Sequence, residues 1–386
     1  MQRSDLKAQS NSDFKSRGVR RISLYNLING MASSAYSPYI SFIGALLGLS
    51  GYTLGIVSTA GTFFTNMAQY FSSATKSDAR HLVLEGNIIK GLGLVLMAFF
   101  MNYHLLYTAL VATVMAGSGI SSMGLSLLSE YYSRGSRSFL LSRMAFYSSL
   151  GSLPVIVAGG LYMATNVELA KYIFVVSAVA STLSTAIVFD LPYDERPRER
   201  SLRLSVKGLE KFLAFNFIYM IVWSFAWPLF PLAQVHVFGM TTEQVAIINV
   251  IATTSTVVVQ RFIGGFIARR MKTSMFIGRL TNTFFALAYA ISPNVYGIYA
   301  SQLLAGLANS INNVAYFSYL VDKAEDKRAA IGTYSVVMGL GAIIGGELGG
   351  WTFEALYASD GYSCLRSLML YVAIARAAAA SLFLLL

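Results

Sequence analysis

The run IFVVSAVASTLSTAIV, residues 173–188, is apolar or small at every position, and LGLVLMAFF, residues 92–100, is a second run of this kind. A hydrocarbon core about 30 Å thick requires roughly 20 residues of helix, because each residue rises about 1.5 Å. A membrane-spanning strand would instead alternate apolar and polar residues. Since neither run alternates, the chain is predicted to cross a membrane as helices.

The composition of the whole chain agrees with a membrane location. Of its 386 residues, 55% are hydrophobic and 12% are charged, and the mean hydropathy is +0.57. A soluble domain carries about a quarter charged residues, so a surface this poor in charge suits lipid better than water. About 21 polar and basic residues precede the first apolar run, which is too long for a secretory signal.

Apolar stretches of spanning length recur along the chain and predict an all-α membrane protein with twelve transmembrane helices. The predicted spans are 22–48, 53–74, 82–101, 104–128, 139–164, 169–189, 212–235, 243–268, 274–291, 295–320, 329–355 and 364–386. A strongly charged segment with two prolines separates the first six spans from the last six. The predicted parts are a tail at 1–21, a six-helix bundle at 22–189, a linker at 190–211 and a second six-helix bundle at 212–386.

Basic residues are concentrated on one side of the predicted membrane. With the N-terminus in the cytoplasm, all of the 29 Lys and Arg except Lys171, Arg366 and Arg376 fall at cytoplasmic positions. That assignment places Lys90 beside the loop between spans 2 and 3, and Arg279 beside the loop between spans 8 and 9. The positive-inside rule then predicts a multi-pass plasma-membrane protein with both termini cytoplasmic. The net charge of +11 is attributed to this topology and to anionic membrane lipids, and not to nucleic-acid binding.

The two halves of the chain repeat each other at an offset of about 190 residues. Matching positions are Asn26 with Asn216, Ser34 with Ser224, Pro38 with Pro228, Leu150-Gly151 with Leu340-Gly341, and Gly159-Gly160 with Gly349-Gly350. Two parallel halves with a solute site between them near the bilayer midplane are a known transporter design.

With twelve spans, a charged central linker and this repeat, the chain resembles the major facilitator superfamily over nearly its whole length. An acidic residue also closes span 4 before a basic loop, in Glu130-Tyr-Tyr-Ser-Arg134, and Asp322-Lys-Ala-Glu325-Asp-Lys-Arg328 is its counterpart after span 10. The family's loop motif between spans 2 and 3 runs Gly-x-Leu-Ala-Asp-Arg-x-Gly-Arg-Arg. This chain has Lys76-Ser-Asp78-Ala-Arg80 there, which keeps the basic character without the Asp in register.

The resemblance implies a central cavity lined by spans 1, 4, 7 and 10, and three of these spans are rich in amides, hydroxyls and aromatic rings. The candidate cavity residues are Asn26, Asn29 and Ser34 on span 1, Asn216, Tyr219 and Trp223 on span 7, and Asn309, Asn312, Asn313 and Tyr316 on span 10. The alternative for any one of them is a hydrogen bond between packed helices, worth about 0.6 kcal/mol on average.

One acidic residue, Glu347, lies well inside span 11, where ionisable groups are costly and usually functional. It is a candidate for proton coupling together with Arg376, which lies at comparable depth in span 12. The alternative is a structural ion pair between the two. Spans 1, 4, 7 and 10 carry no acid in their central portions, so facilitated diffusion stays open.

Charged residues also cluster where span 4 meets span 5 and where span 10 meets span 11. By resemblance, such clusters form a cytoplasmic gate. The candidate gate residues are Glu130, Arg134, Arg137 and Arg143 in the first half, and Asp322 and Arg328 in the second half. The alternative is that these loops are simply solvated.

These features predict a monomeric secondary transporter that moves a small organic solute by alternating access, with protons as a possible coupling ion. Aromatic content slightly favours drug-like efflux over sugar-like or other small-metabolite uptake. A non-transporting membrane receptor or assembly protein is the alternative of another class. No enzyme, cofactor or metal site is predicted, because the three histidines are scattered at His81, His104 and His236.

Overall fold

The computed structural model describes residues 2–75, 77–132, 137–193, 204 and 207–386. Within these ranges, only the backbone is described at residues 2–16, 137–147, 268, 313, 317, 321 and 328. These residues form sixteen α-helices and no strand. The helices are α1 Gln2–Tyr36, α2 Ile40–Leu46, α3 Gly51–Ser73, α4 Ala79–Phe100, α5 His104–Tyr132, α6 Arg137–Ala164, α7 Ala170–Ser184, α8 Ala186–Phe189, α9 Glu210–Phe225, α10 Leu229–His236, α11 Thr242–Arg269, α12 Met271–Ile291, α13 Val295–Gln302, α14 Ala305–Lys323, α15 Lys327–Asp360 and α16 Cys364–Ser381. The prediction of an all-helical chain is confirmed.

Each predicted span coincides with one helix or with two consecutive helices. Spans 1, 6, 7 and 10 are interrupted, and they consist of α1–α2, α7–α8, α9–α10 and α13–α14. Six segments among the described residues are long and apolar enough to cross a membrane: Ala79–Phe100, His104–Tyr132, Val167–Phe189, Glu210–His236, Thr242–Ile267 and Ala329–Leu385. The last segment contains both α15 and α16, and the full set of twelve crossings stays a prediction.

Proline causes the breaks in spans 1 and 7. Pro38 lies in the 3-10 turn Ser37–Tyr39 between α1 and α2, and Pro228 immediately precedes α10. Because proline has no N–H and its ring clashes with the preceding turn, an α-helix cannot continue through it undisturbed. Both breaks fall beside the space between the two halves of the molecule, so they shape its wall.

Helices pair in the same way within each half. The pairs α1–α6, α3–α5, α4–α5 and α4–α7 of the first half correspond to α9–α15, α11–α14, α12–α14 and α12–α16 of the second. Between the halves, α3 packs on α15, α6 packs on α11, and α2 packs on α10. Under the 190-residue repeat, the α3–α15 contact is the equivalent of the α6–α11 contact.

Glycine lets the backbones of the two halves touch. A Cβ added at Gly350 of α15 would lie 2.2 Å from the carbonyl oxygen of Gly51 on α3. In the equivalent contact, a Cβ at Gly160 of α6 would lie 2.5 Å from the Cβ of Ala246 on α11, and the Thr242 hydroxyl donates to the Gly160 carbonyl at 2.9 Å. Small residues bring helices this close in membranes, where close packing replaces the hydrophobic effect as the driving force.

We expect Gly350→Ala to destabilise the protein by about 1–3 kcal/mol, because the new methyl group collides with backbone that cannot move aside. Gly264→Ala on α11 is the matched control, since no atom lies within 4 Å of the position its Cβ would occupy. In an exposed helix this change is expected to stabilise by about 0.5–1 kcal/mol. Thermal unfolding midpoints in detergent measure both variants, and a Gly350→Ala midpoint at or above that of the parent would contradict the packing described.

Candidate functional site

A cavity of about 330 Å³ lies between the halves, and its wall combines aromatic rings with neutral polar side chains. We call it the aromatic cavity. Its lining comes from the breaks in spans 1 and 7 and from α2, α3, α10, α11, α12 and α13: Pro38, Ser41, Phe42, Ser58, Trp227, Phe230, Pro231, Gln234, Val245, Ile248, Asn249, Phe285, Tyr289 and Gln302. No charged side chain is among them, so the wall offers ring faces and a few neutral hydrogen-bonding groups.

A second cavity of about 300 Å³ is lined mostly by amides and hydroxyls. We call it the amide cavity. Its lining residues lie on α6, α11 and α14: Ser149, Asn249, Ala252, Thr253, Thr256, Val257, Gln260 and Asn309. Asn249 belongs to both walls, so the two cavities adjoin at this side chain.

One face of α11 supplies most of the amide cavity. Asn249, Thr253, Thr256 and Gln260 follow one another at helical spacing and therefore point the same way. The Thr256 hydroxyl accepts a hydrogen bond from the Asn309 amide at 3.2 Å. A neutral solute with several hydroxyl or amide groups would find complementary donors and acceptors here.

Four of the residues predicted on spans 7 and 10 converge on Arg279 of α12, which is 1% exposed. Its guanidinium donates to the Asn216 side-chain oxygen at 2.9 Å. The guanidinium carbon lies 4.4 Å from the ring centroid of Tyr219 and 4.2 Å from that of Tyr316. Trp223 completes this aromatic cage at 5.4 Å. Cation–π contacts of this kind stabilise a buried cation that has no carboxylate partner.

The first half contains a simpler version of the same arrangement. Lys90 on α4 is fully buried, and its ammonium group donates to the Asn29 side-chain oxygen at 2.5 Å. Lys90 and Arg279 are related by the repeat, and each binds an asparagine on the first span of its own half. The other candidates on span 1 are also engaged, since Ser34 donates to Ser152 at 2.7 Å and Asn26 has a partner.

Comparison with known proteins assigns the family. A sequence model described as Major Facilitator Superfamily matches residues 22–346 and 212–386. The chain belongs to this superfamily. Membership identifies it as a transport protein and not an enzyme. A search of curated proteins finds no match.

Solved transporters share the superfamily fold with this chain. The nucleoside transporter NupG aligns with a TM-score of 0.74 and 14% identity, over 95% of this chain and 98% of that chain. An auto-inhibited POT family peptide transporter gives 0.76 and 10%, over 96% of each chain. A structure on substrate recognition in proton dependent oligopeptide transporters gives 0.72 and 11%, over 96% and 98%. At these identities the similarity concerns the fold alone.

Of the ten candidate cavity residues, Asn309 lines the amide cavity. Asn216, Tyr219, Trp223 and Tyr316 contact Arg279 instead. Both amide atoms of Asn312 are buried and have no hydrogen-bond partner in the part of the chain that the structure describes. The side chain of Asn313 lies outside it. The polar face of α11 is not among the residues predicted from the sequence, although the helical spacing of its amides and hydroxyls can be read from the sequence.

Two basic residues predicted beside cytoplasmic loops are buried inside the helical bundles. Lys90 and Arg279 were counted beside cytoplasmic loops, but both are buried within helices, at 0% and 1% exposure. Each lies several residues inside a predicted span, and this position in the span was the available signal.

The two proton-coupling candidates do not form an ion pair with each other. Arg376 is fully buried and donates to the carbonyl oxygens of Asn282 and Trp223 at 2.9 and 2.5 Å. Glu347 packs against Gly55 of α3, where a Cβ would lie 3.0 Å from its Oε1. That oxygen is buried and has no hydrogen-bond partner among the described residues. The alternative of a structural pair with Arg376 is therefore wrong.

Only part of the predicted gate falls within the described residues. Glu130 ends α5 and has a partner, and Asp322 is exposed near the end of α14. Arg134 and the side chains of Arg137, Arg143 and Arg328 lie outside the described residues. An exposed ion pair joins Lys207 of the linker to Glu325, with Nζ 3.1 Å from Oε1.

The loop between α3 and α4 retains part of the family motif as a helix cap. The Asp78 carboxylate accepts the backbone N–H of Arg80 at 2.8 Å and pairs with its guanidinium at 2.7 Å. Partial burial raises the pKa of Asp78, but the hydrogen bonds and charge of Arg80 outweigh burial and hold this pKa below its ordinary value. Asp78 therefore stays ionised at neutral pH and stabilises the start of α4.

We expect Asn216→Ala to lower stability by about 1–3 kcal/mol, because it leaves a buried guanidinium N–H of Arg279 without its acceptor. Asn309→Ala is the control: Asn309 is exposed at the cavity, and its loss is expected to cost less than about 0.5 kcal/mol. Thermal midpoints in detergent compare the two. Equal shifts would show that the Asn216–Arg279 hydrogen bond does not hold α9 against α12.

Proposed function

We propose that this protein is a secondary transporter that moves a small organic solute across the plasma membrane by alternating access. The observation that supports this proposal is the pair of adjoining, uncharged cavities between the two halves, with Asn249 in both walls. In this proposal two six-helix bundles cross the membrane twelve times, the linker at 190–211 and both termini are cytoplasmic, and the chain works as a monomer among membrane lipids.

The nature of the solute follows from the two walls. Trp227, Phe230, Phe285 and Tyr289 in the aromatic cavity would bind flat apolar groups, which supports drug-like efflux. The second candidate is uptake of a sugar-like or similarly polar metabolite, which the amide cavity supports through Asn249, Gln260 and its neighbouring hydroxyls. The similar solved structures include a nucleoside transporter and a peptide transporter, whose names denote polar organic solutes.

Coupling to protons is proposed to involve Glu347. Its buried, unpartnered oxygen lies where α15 packs against α3 between the halves, so a change in its charge would act on that contact. An acid that is costly to ionise inside the membrane binds a proton readily. The charged residues at the ends of spans 4 and 10 are proposed as the cytoplasmic gate.

Transport is tested with the purified protein in proteoliposomes and a panel of labelled drugs, sugars and nucleosides. For any solute that is transported, we expect Asn249→Leu to lower kcat/KM by about 10-fold to 100-fold, because a polar group of the solute loses its partner. Thr254→Leu, on another face of α11 and absent from both walls, is the matched control. No uptake of any panel member, or equal effects of the two variants, would contradict the proposal.

We expect Glu347→Gln to abolish accumulation driven by a proton gradient while solute exchange continues without a gradient. The neutral amide can neither bind nor release the coupling proton. Glu85→Gln, which removes an exposed acid from α4, is the control and should accumulate solute normally. Initial uptake rates with and without an imposed pH difference give the answer, and undiminished accumulation by Glu347→Gln would remove this residue from coupling.

A further inference from the structure

Three buried cations remain unexplained by the transport proposal. Lys90, Arg279 and Arg376 are 0%, 1% and 0% exposed. Their hydrogen-bond acceptors are neutral: the side-chain oxygens of two asparagines and two backbone carbonyls. Among the described residues, none of the three is paired with a carboxylate. Cations at membrane depth are expensive, and they usually mark a functional site or a pathway for a substrate or ion.

Two of these cations lie directly behind the wall of the aromatic cavity. The guanidinium carbon of Arg376 is 5.6 Å from the ring centroid of Phe230, which lines the cavity. Arg279 is 5.4 Å from the ring of Trp223, and that ring lies 5.3 Å from Trp227, another lining residue. Only one or two aromatic rings therefore separate these charges from the cavity.

Acidic residues do not cancel this charge. Neither cavity wall contains an Asp or Glu. Glu347 faces Gly55 on α3 and pairs with none of the three cations. Glu354, two turns further along α15, accepts the backbone N–H of Gly51 at the start of α3. Among the residues that the structure describes, no carboxylate therefore forms an ion pair with any of these three cations.

We propose that the transported solute is an amphipathic organic anion, with an aromatic or apolar body and one carboxylate or phosphate group. This inference rests on the proposed transport function and names its substrate class. The ring-lined wall binds the body, and the cations behind it attract the acidic group across a region of low dielectric. At about 10 Å and an effective dielectric constant near 20, one cation favours an anion roughly tenfold over its neutral analogue.

Binding of three matched probes to the purified full-length protein in nanodiscs tests this inference. The probes are 2-naphthoate, 2-naphthamide and 2-naphthylmethylamine, which share a ring system and differ in charge. Quenching of tryptophan fluorescence, to which Trp223 and Trp227 contribute, reports binding. We expect the carboxylate to bind at least tenfold tighter than the amide, and the amine to bind weakest.

Charge variants identify the source of the preference. Arg376→Gln is expected to reduce the ratio of carboxylate to amide affinity about tenfold, whereas Arg376→Lys should preserve it. Lys272→Gln, which removes an exposed cation, is the control for net charge. If Arg376→Gln does not fold, Arg279→Gln, which removes the other cation behind the cavity wall, is measured in the same way and is expected to reduce the ratio in the same direction.

Equal affinities for the carboxylate and the amide would overturn the inference, as would failure of all three probes to bind. An unchanged ratio in a folded Arg376→Gln protein would show that this cation only braces the helices, and would also overturn it. None of these results bears on uptake of other solutes into proteoliposomes. Conversely, a protein that binds the carboxylate selectively but transports nothing would refute the transport proposal alone.

Discussion

Burying charge away from water is the constraint on which the rest of this structure depends. A cation inside the bilayer must be solvated by the protein, and the chain does this with amide oxygens, backbone carbonyls and aromatic faces. Arg279 contacts Asn216, Tyr219 and Tyr316. These residues belong to α9, α12 and α14, so one guanidinium fixes the relative positions of three helices. Lys90 and Asn29 join α4 to α1 in the equivalent place.

Side-chain hydrogen bonds join helices within each half, whereas few of the hydrogen bonds among the described residues cross from one half to the other. Within each half, polar side chains bridge helices, as Asn87 does to Tyr25 and Thr185 at 2.8 Å each. Between the halves, the contacts combine buried apolar side chains, closely packed glycines and hydrogen bonds to backbone, such as that from the Thr242 hydroxyl to the Gly160 carbonyl. In the proposed alternating-access cycle, the halves would move against each other at this boundary, where the cavities lie.

Hydropathy and the repeat were enough to predict the helices, because both are local properties of the sequence. The run at 173–188 needed no tertiary information, and it lies within α7 and α8. The residues that line the cavities could not be predicted in the same way. Asn216, Tyr219 and Tyr316 carry the chemistry of a binding site, but the presence of Arg279 on a neighbouring helix determines which way they face. Only the folded arrangement shows that Asn249 and Gln260 point into open space instead.

The backbone contact between Gly51 and Gly350 bears on how fast α3 and α15 can move past each other. A boundary built from interlocking side chains must change rotamers before one surface slides over the other, and each locked rotamer adds to the barrier. The Gly51 and Gly350 backbones have no rotamers to unlock at their point of contact, and the side-chain link beside them is the hydrogen bond that Glu354 accepts from the Gly51 N–H. In the proposed transport cycle, sliding of α3 on α15 would therefore require this hydrogen bond to break, without a prior change of interlocked rotamers at the glycines.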